Sequence, residues 1–436
     1  MDVEHEGWAE ETMISYAVGT YVAFALLNYR VAVLLLVPFS LILHMFPVVD
    51  RQVFSVLDCC CLGLTALLPL KCNFISKLRT YPFLIPSLLV GFSYVITNVL
   101  AEPHWPSTVF VLNTIYCFPF VVWCVLEEER DLKLLLYAFM LYFGFCAVYA
   151  LVELALGENI ILGKFIQMDI VTNDVLNYDE VRFGFKRLQS VFDTPMSMGL
   201  AMGVFGYLLF EYRKMTKNSN FFVAVLMVAC LILPWLSGSR SVFVAVFVLM
   251  IPIMNEVLKG DRFALLKIGL LGGGVFLLGG WVMLLVDSFV HSDTAVTGSS
   301  LDMRIMQFAV IIPFFLNSPI WGNGYAFIWS FVKQVDADIL GAESVWLQLL
   351  VDFGVIGVIA YLCCIVYMIK ALKPVVQKKS VILPMAVVVG YTLSTFLGLE
   401  LNFFFIVCMM LMKMKEFYVE NEKSDDLKTE KIDGSK

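Results

Sequence analysis

Three arginines stand in contexts that let a backbone approach a ligand closely: Arg187 in "KRLQS", Arg240 in "SGSRS" and Arg304 in "GSSLDMR". Each is flanked by small, polar or turn-forming residues. A guanidinium presents a planar fork of donors that matches two phosphate oxygens, so three converging guanidiniums suit a diphosphate. Arg240 has two readings. At the end of an apolar span it snorkels to the interface; facing a bundle interior it costs roughly 2.5 to 3.5 kcal/mol and is functional by default. A fourth candidate, Glu343, precedes Ser344 and the apolar run "VWLQLL". A partly desolvated carboxylate there accepts a proton from an attacking hydroxyl, or it is an acid favoured at the start of the next helix.

Around "WGNGYAFIW", Trp321, Tyr325 and Trp329 are candidates to stack on sugar rings, against the alternative that they anchor the chain at a membrane interface. Gly322 and Gly324 mark a turn there, with no following Lys to make it a phosphate loop. Glu153 and Asp58 fall inside apolar segments, where carboxylates usually mark ion or proton paths; they favour a rival class, a transporter of lipid-linked saccharides. Against that class, the halves show no repeat and no matching pair of interrupted helices. Asp169, Asp174, Asp179, Glu180 and Asp193 crowd one loop as a solvated face, with the option that one pairs with an arginine and preorganises it. The 4 histidines are scattered without ligand spacing and the 11 cysteines lie in or beside apolar segments. Neither a metal site, a disulfide framework nor a cofactor is expected.

What must position these residues is a membrane bundle. In 436 residues, 60% are hydrophobic and 15% charged, with a mean hydropathy of +0.85; a water-soluble globule cannot accommodate that balance. Apolar windows predict about 12 to 13 spans in a single all-α transmembrane domain over 1–414: near 13–29, 31–49, 53–70, 81–100, 107–126, 132–156, 190–211, 221–237, 240–258, 265–287, 344–369, 380–398 and 400–413. The turns at Asn28–Arg30 and Glu400–Asn402 leave room for broken or re-entrant elements. Lys71, Lys77 and Arg79, then Arg213, Lys214 and Lys217, then Lys370, Lys373, Lys378 and Lys379 mark loops retained on the cytoplasmic side. The polar tail 415–436 is expected inside and disordered. The N-terminal "MDVEHEGWAEE", with five acids and no Lys or Arg, is expected outside and without a cleaved leader. Two long connections, 157–189 and 288–343, fall on the outer side together with the Ser237–Ser239 turn, so all three arginines face one compartment. The run "MRIMQFAVIIPFFLNS" reads as an amphipathic helix half in the membrane surface.

The order of "KRLQSVFDTPMSMGLAM", "WLSGSRSVFVAVFVL", "MRIMQFAVIIPFFLNSPIWGNGYAF" and "AESVWLQLLVDFGVIGVIAYL" resembles the O-antigen polymerase and ligase superfamily, which includes the Wzy-type polysaccharide polymerases. The motifs cover residues 187 to 366. The resemblance implies a helical bundle similar to GT-C glycosyltransferases and a bacterial inner-membrane protein working at the outer face. It also implies metal-independent, inverting glycosyl transfer from an undecaprenyl-diphosphate-linked glycan, with Arg187, Arg240 and Arg304 on the diphosphate. Ligases of that superfamily carry a His-Asn type pair where this chain has Glu343-Ser344, which favours a polymerase of O-antigen, capsular or exopolysaccharide repeats over a ligase. The partners so implied are the lipid-linked glycan, membrane lipid and the pathway's chain-length regulator and flippase; no nucleic acid is expected. A non-catalytic assembly scaffold is the third class, and it predicts that arginine and Glu343 substitutions are tolerated.

Overall fold

The computed structural model describes residues 16–49, 54–101, 103–168, 181–182, 185–217, 220–258, 301–328, 344–392 and 401–420. It is helical apart from two short antiparallel strand pairs, β1 (Pro47–Val49) with β2 (Phe54–Ser55) and β3 (Val181–Arg182) with β4 (Phe185–Lys186). The helices run α1 (Tyr16–Leu27), α2 (Tyr29–Leu43), α3 (Val56–Lys71), α4 (Phe74–Thr80), α5 (Leu84–Leu100), α6 (Trp105–Val125), α7 (Glu129–Leu156) and α8 (Ile160–Gln167). They continue as α9 (Pro195–Thr216), α10 (Phe221–Ser237), α11 (Arg240–Leu258), α12 (Leu301–Asn317), α13 (Val345–Val376), α14 (Ile382–Thr392) and α15 (Leu401–Met414).

The outward faces are as apolar as the inward ones. On α7, Leu135, Phe139, Phe143, Cys146 and Ala150 are buried, while Tyr137, Leu141, Phe145, Val148 and Val152, at helical spacing, are exposed. A soluble helix places polar residues on that stripe; here lipid is the matching solvent. Among the described residues, α6, α7 and the continuous stretch Val345–Thr392 are long and apolar enough to cross a membrane, and a fourth span follows if α3 and α4, bent by 108°, count as one. The expected segment 265–287 lies outside the described residues.

Close approach is written into α9. A Cβ on Gly199 would lie 2.6 Å from Val242 Cγ1, and one on Gly203 2.6 Å from Val246 Cγ2, so these two glycines let α11 sit directly on α9. Phe205 of the same helix stacks on Phe143 at 4.4 Å, tying α9 to α7. On α12, Phe308, Ile312 and Leu316 form an exposed stripe along one side. The opposite side, through Ile311, packs on Leu347 and Val351 of α13.

Charge sorts the two ends of the bundle. At one end Arg30 meets Glu127 at 2.5 Å, Glu128 at 3.2 Å and Asp131 at 3.4 Å, and Lys77 meets Glu127 at 2.6 Å. Lys71 donates to the Leu26 carbonyl, Lys413 lies over Trp123, and Lys379 sits between Glu211 and Glu256. The basic loops therefore gather together, in agreement with their assignment to one side. The Lys77 hydrogen bond, with the Lys77, Arg30 and Lys413 charges, holds Glu127 below its ordinary range against an opposing effect of burial. A depressed carboxylate contributes stability that is complete above its unfolded value, near pH 4.3, and is lost as pH falls through the lower folded value. Glu127→Gln is accordingly expected to lower the unfolding temperature at neutral pH, and the gap to the parent should close as pH falls through the depressed folded value. Equal unfolding temperatures at pH 7 would contradict this.

Candidate functional site

At the opposite end, the segment after β4 lies against the turn that joins α10 to α11. The Leu188 amide donates to the Leu236 carbonyl at 3.0 Å. Arg187, 4% exposed, donates from Nε to the Ser237 carbonyl at 2.9 Å and from Nη2 to Ser239 Oγ at 2.8 Å. α10 ends in a 3-10 turn over Leu233–Ser237, and Gly238 takes the left-handed conformation, φ 65°, that reverses the chain. α11 then begins on Arg240 itself. Sequence spacing alone put Arg187 and Arg240 on one side; the structure links Arg187 directly to the turn that opens the Arg240 helix. Burying a guanidinium is costly unless its donors are met, and the two serines meet part of that need.

Arg240 is half-buried. A cation on the first residue of a helix opposes the helix dipole and costs about 0.3 to 1 kcal/mol. The same placement adds a guanidinium to the amide donors of a helix N-terminus, and both attract an anion. The loop that delivers Arg187 is tightly made. Phe192 packs on Tyr142 and Phe143 of α7. Thr194 caps α9 by accepting the Ser197 amide at 3.0 Å, and Pro195 opens the helix. Of the acids in the first long loop, Asp193 is buried and lies 3.4 Å from His44 Nε2; Asp169, Asp174, Asp179 and Glu180 fall outside the described residues.

The other candidates divide. Arg304 sits in the first turn of α12, and its side chain is not among those described. Glu343 and Trp329 lie outside the described residues, while Ser344 is the N-cap of α13. Trp321 and Tyr325 belong to a different set of contacts. Thr97 on α5 donates to the Trp321 carbonyl at 2.5 Å, and the Tyr325 ring lies 6.0 Å from Tyr94 and 6.4 Å from Phe353.

That turn docks into a break in α13. Gly354 has φ 64° and ψ −161°, so the helix is interrupted and its local backbone groups lose their partners. The turn replaces them: Asn323 N donates to Val351 O at 2.9 Å, Gly324 N to Asp352 O at 3.2 Å, Val355 N to Pro319 O at 2.9 Å and Ile356 N to Ile320 O at 3.2 Å. Non-helical backbone at membrane depth is tolerated where protein satisfies it. Asp352, 1% exposed, accepts the Ile328 amide at 3.0 Å and fixes the far side of the turn. Sequence reading missed Asp352; its signal is an acid directly before "FG" in an otherwise apolar run.

Asp58 and Glu153 have definite employment in the backbone. Asp58 completes a capping box with Ser55 at the start of α3 and accepts Thr114 Oγ1 at 2.6 Å. Glu153 accepts backbone amides near the end of α7.

Apolar helices with apolar outward faces define a multi-pass membrane protein. Residues 222–362 match the Wzy_C family model, described as O-antigen ligase, and the match supports the O-antigen polymerase and ligase superfamily. Members of that family are glycosyltransferase-like ligases and polymerases. The matched segment holds the Ser237–Arg240 turn, α12, the glycine-rich turn and the Gly354 break; Arg187 lies before it. No curated protein matches the chain.

Proposed function

We propose that this protein polymerises undecaprenyl-diphosphate-linked oligosaccharide repeats into O-antigen, capsular or exopolysaccharide, by inverting glycosyl transfer at the outer face of the bacterial inner membrane. The observation that carries the reading is the buried Arg187 guanidinium, bonded to Ser237 and Ser239 at the head of the helix that Arg240 opens. Both arginines sit at the end opposite the gathered basic loops, which the positive-inside rule assigns to the cytoplasm. In this reading Arg187, Arg240 and Arg304 neutralise the departing diphosphate, the main electrostatic demand of the transition state. The hydroxyl of the incoming repeat attacks the donor's anomeric carbon, the carbon–oxygen bond to the diphosphate breaks, and Glu343 takes the hydroxyl proton. Trp321, Tyr325 and Trp329 supply surfaces for sugar rings.

A ligase-type transfer to a lipid or protein acceptor is the second reading, favoured by the description of the matched family model. The transporter reading loses its motive, because Asp58 and Glu153 are both engaged with backbone and hydroxyl groups near helix ends. The test is purified protein in nanodiscs given undecaprenyl-diphosphate-linked repeats alone. Formation of dimers and longer chains with inverted configuration supports the polymerase. Product only after a separate acceptor is added supports the ligase, and no product with either overturns the proposal.

A further inference from the structure

We propose that Glu153 is a positioning residue for Arg187, fixing from α7 the loop that carries it. The inference rests on the reading of Arg187 as a diphosphate ligand. Glu153 is 6% exposed and lies one turn from the end of α7. Its carboxyl accepts the Gln189 amide at 3.3 Å on both oxygens and the Ser190 amide at 2.6 Å. Two consecutive amides converging on one point form a backbone nest suited to an anion, and here the protein's own carboxylate occupies it. Ser190 is held at φ 53°, a left-handed conformation that a serine keeps only when its surroundings impose it. Those surroundings are present. Ser190 Oγ donates to the Cys146 carbonyl at 3.0 Å, and Asn159 Nδ2 donates to the Ser190 carbonyl at 2.6 Å. Asn159 is itself held by the Tyr149 hydroxyl at 2.9 Å.

Three residues upstream, no more than about 10 Å of extended chain away, Arg187 reaches in the other direction to Ser237 and Ser239. The segment 187–190 is thus stretched between two anchors, Glu153 on α7 and the α10–α11 turn. Because the nest is filled internally, the amides of Gln189 and Ser190 are spent on Glu153 and are not offered to an outside anion. Gln at position 153 keeps one acceptor oxygen but turns an NH2 toward an amide donor, so it loosens the clamp without removing volume.

The experiment uses full-length protein in nanodiscs, with undecaprenyl diphosphate as the titrant and amide exchange read at residues 188–190. For Glu153→Gln the expected results are exchange about tenfold faster at these amides and affinity about tenfold weaker. The double variant with Arg187→Ala should bind no more weakly than Arg187→Ala alone, since a loosened clamp has nothing left to aim. If Glu153→Gln inserts poorly, Glu153→Asp, which withdraws the carboxylate by one methylene, is measured in the same way. Unchanged exchange, or losses from the two substitutions that multiply, overturns the positioning role alone. Equal binding by parent and Arg187→Ala overturns the diphosphate reading and the positioning role with it.

Discussion

Arg187→Ala is expected to abolish the long glycan ladder while the protein still accumulates in the membrane. Removing one preorganised donor from a site where anionic charge develops lowers turnover by about 10² to 10³, and a ladder needs many successive transfers. Arg187→Lys should fall by at least about tenfold, because a single ammonium cannot bond the Ser237 carbonyl and Ser239 Oγ while presenting a planar fork to phosphate oxygens. Folding is disturbed less than function: truncation leaves one carbonyl and one hydroxyl short of a donor, at about 1 to 3 kcal/mol. Arg79, exposed at the other end of the bundle, provides the control. Arg79→Ala should leave the ladder unaltered. Glycan gels read beside membrane protein levels decide the matter, and a normal ladder from Arg187→Ala would sink the proposed role.

The largest effect on stability is expected at Gly354. An added Cβ would lie 2.4 Å from the Ile320 carbonyl oxygen, a backbone atom that cannot swing aside, and φ 64° is strained for any L side chain. Gly322 is its counterpart across the contact, with φ 78° and a Cβ position 2.3 Å from the Asp352 carbonyl oxygen. Either Ala substitution pushes the turn out of the break and endangers four backbone hydrogen bonds together. The cost should exceed about 4 kcal/mol, at the exceptional end for a single change. Gly144→Ala is the comparison, since nothing lies within 4 Å of its added Cβ, and it should be neutral or slightly stabilising. Thermal unfolding in detergent separates these cases. A Gly354→Ala protein as stable as the parent would mean that the turn does not dock as described.

Much of the fold is legible because lipid imposes a simple rule on composition. Apolar runs place the helices, and the clusters around Arg30, Lys77, Lys379 and Lys413 gather at one end, as short basic loops predict. Topology places Arg187 and Arg240 on the same side, but the bonds from Arg187 to the turn before the Arg240 helix are visible only in the structure. Long-range partnerships leave no local trace. "WGNGY" reads as a turn, yet nothing near it in sequence names Gly354, some thirty residues on, as the break it fills. Glu153 misleads for a physical reason: hydropathy shows an acid inside an apolar helix but cannot show that its acceptors are taken by amides 36 and 37 residues later. Asp58 misleads in the same way until the helix start at Val56 makes it a capping residue.

The most direct test of the central claim is the length distribution of surface and lipid-linked glycan in cells lacking this gene, resolved beside the parent and a complemented strain. Loss of the long ladder with single repeat units retained, restored by complementation, is the predicted result. A full ladder still attached at the surface would contradict it.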